Sequence, residues 1–184
     1  MRRLFCWMFF WCVGVGPGWA SLPPLGDWPI SEAFLVHVDS LYASGEWGRA
    51  GELLRGATRR NCTDPRLWTR IATLADELEH SAEAERAYLR ALELVPGHYV
   101  ASFNLARLLA LSGRGIDALE RLATVRRRGD LDPDYWQLVG RIMLAWGMED
   151  EASIALSRVL ELAPERSEVV HLMERHGLEF HRDP

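Results

Sequence analysis

The chain has 184 residues, 48% apolar and 26% charged, with a net charge of −5 and a pI near 5.7. Those proportions are ordinary for a folded domain, and the acidic balance argues against general affinity for nucleic acid. All 21 basic residues are arginine, a bias that reads first as codon composition rather than chemistry.

In chain order, Arg2 and Arg3 precede an apolar run over residues 4–15, followed by Gly16-Pro17-Gly18-Trp19-Ala20. A charged start, an apolar centre and a small-x-small end describe a secretory signal cleaved after Ala20. The alternative is a retained anchor. The run is short for a span of roughly 20 residues, yet no charge follows Arg3 until Asp27. Phe10-Trp11 before Cys12 does not fit a lipoprotein box, so lipidation is not expected. Residues 21–30, with Pro23, Pro24 and Pro29, read as a lead-in.

From residue 31 the chain repeats. Ala50, Ala84, Ala118 and Ala152 are 34 residues apart, and the blocks 31–64, 65–98, 99–132 and 133–166 each read as two amphipathic helices. The fourth residue of each block is Phe34, Trp68, Ser102 or Trp136, and the eighth is Val38, Ala72, Ala106 or Gly140. A bulky group followed by small or apolar ones at i+4 and i+7 marks one helical face. The fifteenth is Gly45, Glu79, Gly113 or Gly147, three helix terminators and one exception. Asp64-Pro65 and Asp132-Pro133 supply an N-cap followed by a proline at the first helical position. Arg59-Arg60 and the run 126–128 fall where cations complement the end of a second helix. Residues 167–184 begin a fifth block and stop, as a terminal cap would.

This pattern resembles the tetratricopeptide repeat: a large aromatic, a small residue, an alanine, an aromatic, an alanine and a proline over 34 positions. The block 65–98 matches best, through Trp68, Ala72, Ala84, Tyr88, Ala91 and Pro96; 133–166 follows through Trp136, Gly140, Ala152, Val159 and Pro164. Block 99–132 has Ser102 and Asp130 where the aromatic and proline belong, and block 31–64 is divergent, with Cys62 at the proline position. The resemblance implies an all-α, right-handed solenoid of four helical hairpins plus a C-terminal capping helix. It also implies that positions 2, 5, 9, 12 and 13 of the first helices line a concave groove for partner segments.

Carried over by position, the candidate groove residues are Asp39, Thr73, Asp76, Glu77, Val100, Phe103, Asn104, Arg107, Gln137, Arg141 and Arg175. The ninth positions run Asp39, Thr73, Arg107, Arg141, Arg175. Helices about 10 Å apart place these arginines near one Debye length from each other, so an anion would relieve their repulsion. Two readings stay open: an acidic ligand on the arginines, or cross-repeat pairing to Asp134 and Glu168. Asp39, Asp76 and Glu77 make the opposite end acidic, so the groove is expected to be polarised. The chaperone-tail clamp of the family is not expected, because only Asn104 fits its pattern.

No phosphate loop, HExxH or nucleophile elbow is present. His171, His176 and His181 recur every five residues, about 500° apart on a helix, and do not share a face. Removal of the signal leaves Cys62 as the single cysteine, so no internal disulfide is expected. The chain is read as an exported, periplasmic, non-enzymatic adaptor without cofactor or metal. Its expected partner is a protein or peptide, acidic along the C-terminal half of the groove. The alternative is a membrane-anchored accessory subunit of a secretion or maturation complex.

Overall fold

A computed structural model describes residues 30–59 and 63–180. The leader at 1–20, the lead-in up to residue 29, and Arg60, Cys62 and His181 lie outside the described residues. Ten helices and no strand are present among those described. The first hairpin is α1 (Glu32–Ala43) and α2 (Trp47–Thr58), and the second is α3 (Pro65–Glu77) and α4 (Ser81–Leu94). The third is α5 (Tyr99–Leu111) with α6 (Gly115–Ala123) and α7 (Arg126–Gly129). The fourth is α8 (Pro133–Ala145) and α9 (Glu149–Leu162), followed by a single helix, α10 (Ser167–Arg175).

Each helix begins and ends for a local reason. Asp64 and Asp132 accept backbone hydrogen bonds from Arg66 and Asp134 at 2.9 Å, with Pro65 and Pro133 at the first helical position. The fifteenth position of every block is left-handed, at φ 73° for Gly45, 80° for Gly113 and 70° for Gly147. Glu79 takes the same conformation at φ 60°. The position therefore demands this geometry whatever residue fills it, at a cost to Glu79 of roughly 1–3 kcal/mol.

The repeated alanines are the tightest points. Ala50, Ala84, Ala118 and Ala152 are each 0% exposed, because a methyl is the largest group that fits where paired helices approach. Beside them Leu54, Tyr88, Leu122 and Leu156 are buried, and each such side chain contributes about 1.5–3 kcal/mol. One cluster runs through the second to fourth hairpins, a smaller one closes the first hairpin on α3, and a third seals α9 with Val169 and Met173 of α10. α10 thus covers the apolar face that the fourth hairpin would otherwise leave open.

The third hairpin departs from the two-helix reading. Its second helix breaks after Ala123, and the arginine run forms α7 rather than the end of a long helix. Val125 stands where Ala57 and Ala91 stand in earlier repeats, and its N–H bonds Leu122 in a tighter i−3 turn at 3.0 Å. Beyond the break Tyr135 lies on Gly129, where an added Cβ would come within 2.3 Å of the ring. Arg126 and Arg128 lie over the rings of Trp136 and Tyr99 at 5.8 and 5.7 Å. The same repeat lacks the aromatic at its fourth position: Ser102 is fully buried there, and its hydroxyl finds no partner.

Candidate partner-binding groove

The first helices of successive repeats approach one another more closely than the second helices do: α3 meets α5 and α5 meets α8, with no comparable contact between α4 and α6. The first-helix layer is therefore the inner, concave side. Side chains of its solvent face project into one continuous trough.

Along the first three repeats the trough is laced by ion pairs between neighbouring helices. Arg70 donates to both oxygens of Asp39, at 2.9 and 2.6 Å, and Arg107 donates to Asp76. In both pairs the arginine lies 31 residues after its carboxylate, one repeat less about one helical turn. Arg66 adds a contact to Glu32 at 3.1 Å and donates to the Ile30 carbonyl at 3.0 Å. Each exposed pair is worth only about 0.2–1 kcal/mol, but together they fix side-chain positions along the trough.

Four candidate residues converge on one point. The buried Tyr88 hydroxyl from α4 reaches between α3 and α5, 3.4 Å from the Thr73 hydroxyl. Asn104 and the Asp76–Arg107 pair surround the same hydroxyl. Burial pushes the Tyr88 phenol above its ordinary pKa, with the Asp76 charge adding to the rise. Thr73, Asp76, Asn104 and Arg107 thus form a polar cluster at the centre of the trough, and Arg107 is held in it.

The fourth repeat and the cap are different. Arg166 donates to Asp134 at 2.6 Å and to the Gln137 amide oxygen at 2.8 Å. Arg141 and Arg175 are exposed and form no hydrogen bond or ion pair among the described residues. Of the two readings left open, pairing of the ladder to Asp134 and Glu168 is not formed among the described residues. Arg107 pairs backward to Asp76, Asp134 is taken by Arg166, and two arginines of the ladder remain free. The offset of 31 residues that supplies a carboxylate to Arg70 and Arg107 leads from Arg141 to Ala110 and from Arg175 to Leu144, neither of which carries charge. The acidic end is corrected too: Asp39 and Asp76 are neutralised by Arg70 and Arg107, which leaves Glu77 exposed without a partner among the described residues.

Apolar surface sits beside this ladder. Val100 is 50% exposed and Leu111 75%, while Phe103 is half-buried and stacked on Tyr99 at 6.1 Å. On the outer side a shallow cleft of ≈ 310 Å³ is lined by Glu85, Leu105, Leu109 and Arg121, among others. On its rim Arg114 is bonded to Glu85 and Asp117 at 2.7 and 2.8 Å, while the buried Nε of Arg121 has no hydrogen-bond partner among the described residues.

Stacked two-helix units with a concave inner layer define a helical-repeat interaction scaffold. Residues 80–142 match the family model described as Tetratricopeptide repeat, and the stacked hairpins have the fold of tetratricopeptide-repeat solenoids. It resembles the structure of Pseudomonas aeruginosa PilF, at 16% identity and a TM-score of 0.72 over 79% of this chain and 68% of that one. It also resembles YrrB, described as a tetratricopeptide repeat protein with an unusual peptide-binding site: 20% identity, TM-score 0.67, 77% and 73% covered. MamA from Desulfovibrio magneticus RS-1 matches at 18% identity and a TM-score of 0.70, over 79% and 85%. By sequence, a peroxisomal targeting signal receptor of Candida glabrata is 31% identical over 94 residues, which is 51% of this chain but 16% of that protein.

Proposed function

We propose that this protein is an exported, non-enzymatic adaptor that holds an extended segment of a partner protein along its concave trough and supports assembly of an envelope complex. The observation that carries the reading is the inner helix layer, which presents polar, apolar and charged side chains from every repeat on one unbroken face. Thr73, Asn104, Val100 and Leu111 offer hydrogen-bonding and apolar contact in the middle of that face, as an extended chain with alternating side chains requires. Peptide recognition by YrrB, at the level its description gives, is consistent with such use of the fold.

Export rests on the charge and hydropathy pattern of residues 1–20. The uncharged stretch from residue 4 to residue 26 favours a second reading, an anchored accessory subunit. The intact mass of protein recovered from an envelope fraction distinguishes them: loss of the first twenty residues supports a soluble exported form, and a full-length chain supports the anchor.

Site-specific photo-cross-linking tests the trough itself. A cross-linking side chain at Asn104 is expected to capture a partner, and one at Ile154, exposed on α9 of the outer layer, is not. Capture at Ile154 with none at Asn104 would place recognition on the wrong face and remove this reading.

A further inference from the structure

We infer that the C-terminal half of the trough is built for an acidic polypeptide segment with two carboxylates about three residues apart, gripped by Arg141 and Arg175. The inference rests on the trough being the partner site and adds the chemistry of its occupant.

Every other arginine on the inner face of the described first helices has a carboxylate: Arg66 has Asp64 and Glu32, Arg70 has Asp39, and Arg107 has Asp76. Arg141 and Arg175 have none among the described residues, and 31 residues before them, the offset that pairs Arg70 and Arg107, stand the uncharged Ala110 and Leu144. An exposed guanidinium with five donors and no acceptor is matched to a carboxylate.

The surroundings point the same way. The Gln137 oxygen is occupied by Arg166, so its amide NH2 is the group left to bind. Asp134, the nearest acid on the same helix, is neutralised by that same arginine. The surface around Arg141 therefore offers donors and positive charge. Leu111, 75% exposed at the end of α5 in the preceding repeat, offers an incoming chain apolar surface on the same helix layer.

Spacing follows from the repeat. α8 and α10 are neighbours, since Trp136 and Leu144 pack on the cluster that contains Val169 and Met173. Neighbouring helices lie about 10 Å apart, and an extended chain advances about 3.3–3.6 Å per residue. Carboxylates at i and i+3 then meet successive arginines. The recognised pattern is an apolar residue followed by acid-x-x-acid.

The test uses the full chain and three labelled peptides in fluorescence anisotropy: Leu-rich with Glu-x-x-Glu, the same peptide with Gln-x-x-Gln, and one with adjacent glutamates. The Glu-x-x-Glu peptide is expected to bind at least tenfold more tightly than the Gln form. Arg141→Glu and, separately, Arg175→Glu should abolish that preference while thermal unfolding stays unchanged. Arg141→Gln, which keeps the length and loses the charge, should reduce it. Equal binding of the Glu and Gln peptides that is lost on Leu111→Asp would overturn the acidic inference and leave the trough reading intact. Binding of no peptide would overturn both. Preference for adjacent glutamates would overturn the spacing, and self-association abolished by Arg141→Glu, without peptide binding, would assign the arginines to a second copy instead.

Discussion

The two halves of the trough are made from the same hairpin, and they differ in what stands 31 residues before the inner-face arginines Arg70, Arg107, Arg141 and Arg175. In the first three repeats, a carboxylate 31 positions before the arginine closes a cross-repeat bridge, as in Asp39–Arg70 and Asp76–Arg107. In the fourth repeat and the cap, the residues 31 positions before Arg141 and Arg175 are Ala110 and Leu144, and both arginines stay open to solvent. Pairing that holds one half together is thus withheld from the other. The lesson is general for solenoids: each repeat meets only its neighbours, so a single substitution can turn a structural charge into an available one without disturbing the rest.

The comparison can be broken hardest at its centre. Tyr88 is 0% exposed and organises the polar cluster that ends the paired half. Tyr88→Ala removes that ring from the core and should cost about 3–5 kcal/mol, seen as a large drop in the denaturation midpoint. The cluster residues Thr73 and Asn104 should lose their amide and side-chain NMR positions along with it. A midpoint unchanged within error would mean that Tyr88 does not tie the second and third repeats together.

A subtler change should convert the open half into the paired one. Ala110→Asp places a carboxylate where Asp76 stands one repeat earlier, within reach of Arg141. Stability should move by less than about 1 kcal/mol, as for other exposed pairs. Binding of the Glu-x-x-Glu peptide should fall about tenfold, and the loss should shrink as salt rises. An unaltered affinity would show that the 31-residue rule does not govern the charge available at Arg141.

The smallest effect concerns pH at the start of the third repeat, within the paired half. The His98 Nδ1 atom accepts the Ala101 N–H at 3.2 Å and caps α5. Burial, together with the Arg128 charge, holds its pKa below the ordinary 6.5, although Asp64 partly opposes this. Protonation removes the acceptor and puts a cation at the positive end of the helix. The unfolded chain therefore binds the proton more readily, and stability present above about pH 6.5 is lost as pH falls toward the lower folded value. His98→Asn retains a cap and should flatten that slope in pH-dependent unfolding, whereas the same slope in both proteins would clear His98 of the effect.

Much of the architecture was legible because every repeat places the same residue in the same environment. The buried alanines at 50, 84, 118 and 152 and the left-handed terminators announce themselves by recurrence. The proline caps were legible from local chemistry. The break between α6 and α7 was not, because it depends on how Val125, Gly129 and Tyr135 share space across two hairpins. The candidate groove was legible as a set of positions, and Thr73, Asp76, Asn104 and Arg107 do meet in space. Their pairing was left open between a ligand and forward partners in the next repeat, while the observed bridges run back by 31 residues, one repeat less about one turn. Comparing the residues 31 positions before Arg70, Arg107, Arg141 and Arg175, namely Asp39, Asp76, Ala110 and Leu144, would have found it.

Periodicity alone determined the hairpins, their order and the face that each helix buries, because those depend on neighbours along the chain and on a constant inter-helix distance. Which charges cancel and which remain for a partner was decided only by the stacked structure. A guanidinium's reach is short, and the offset of one helix against the next sets what lies within it.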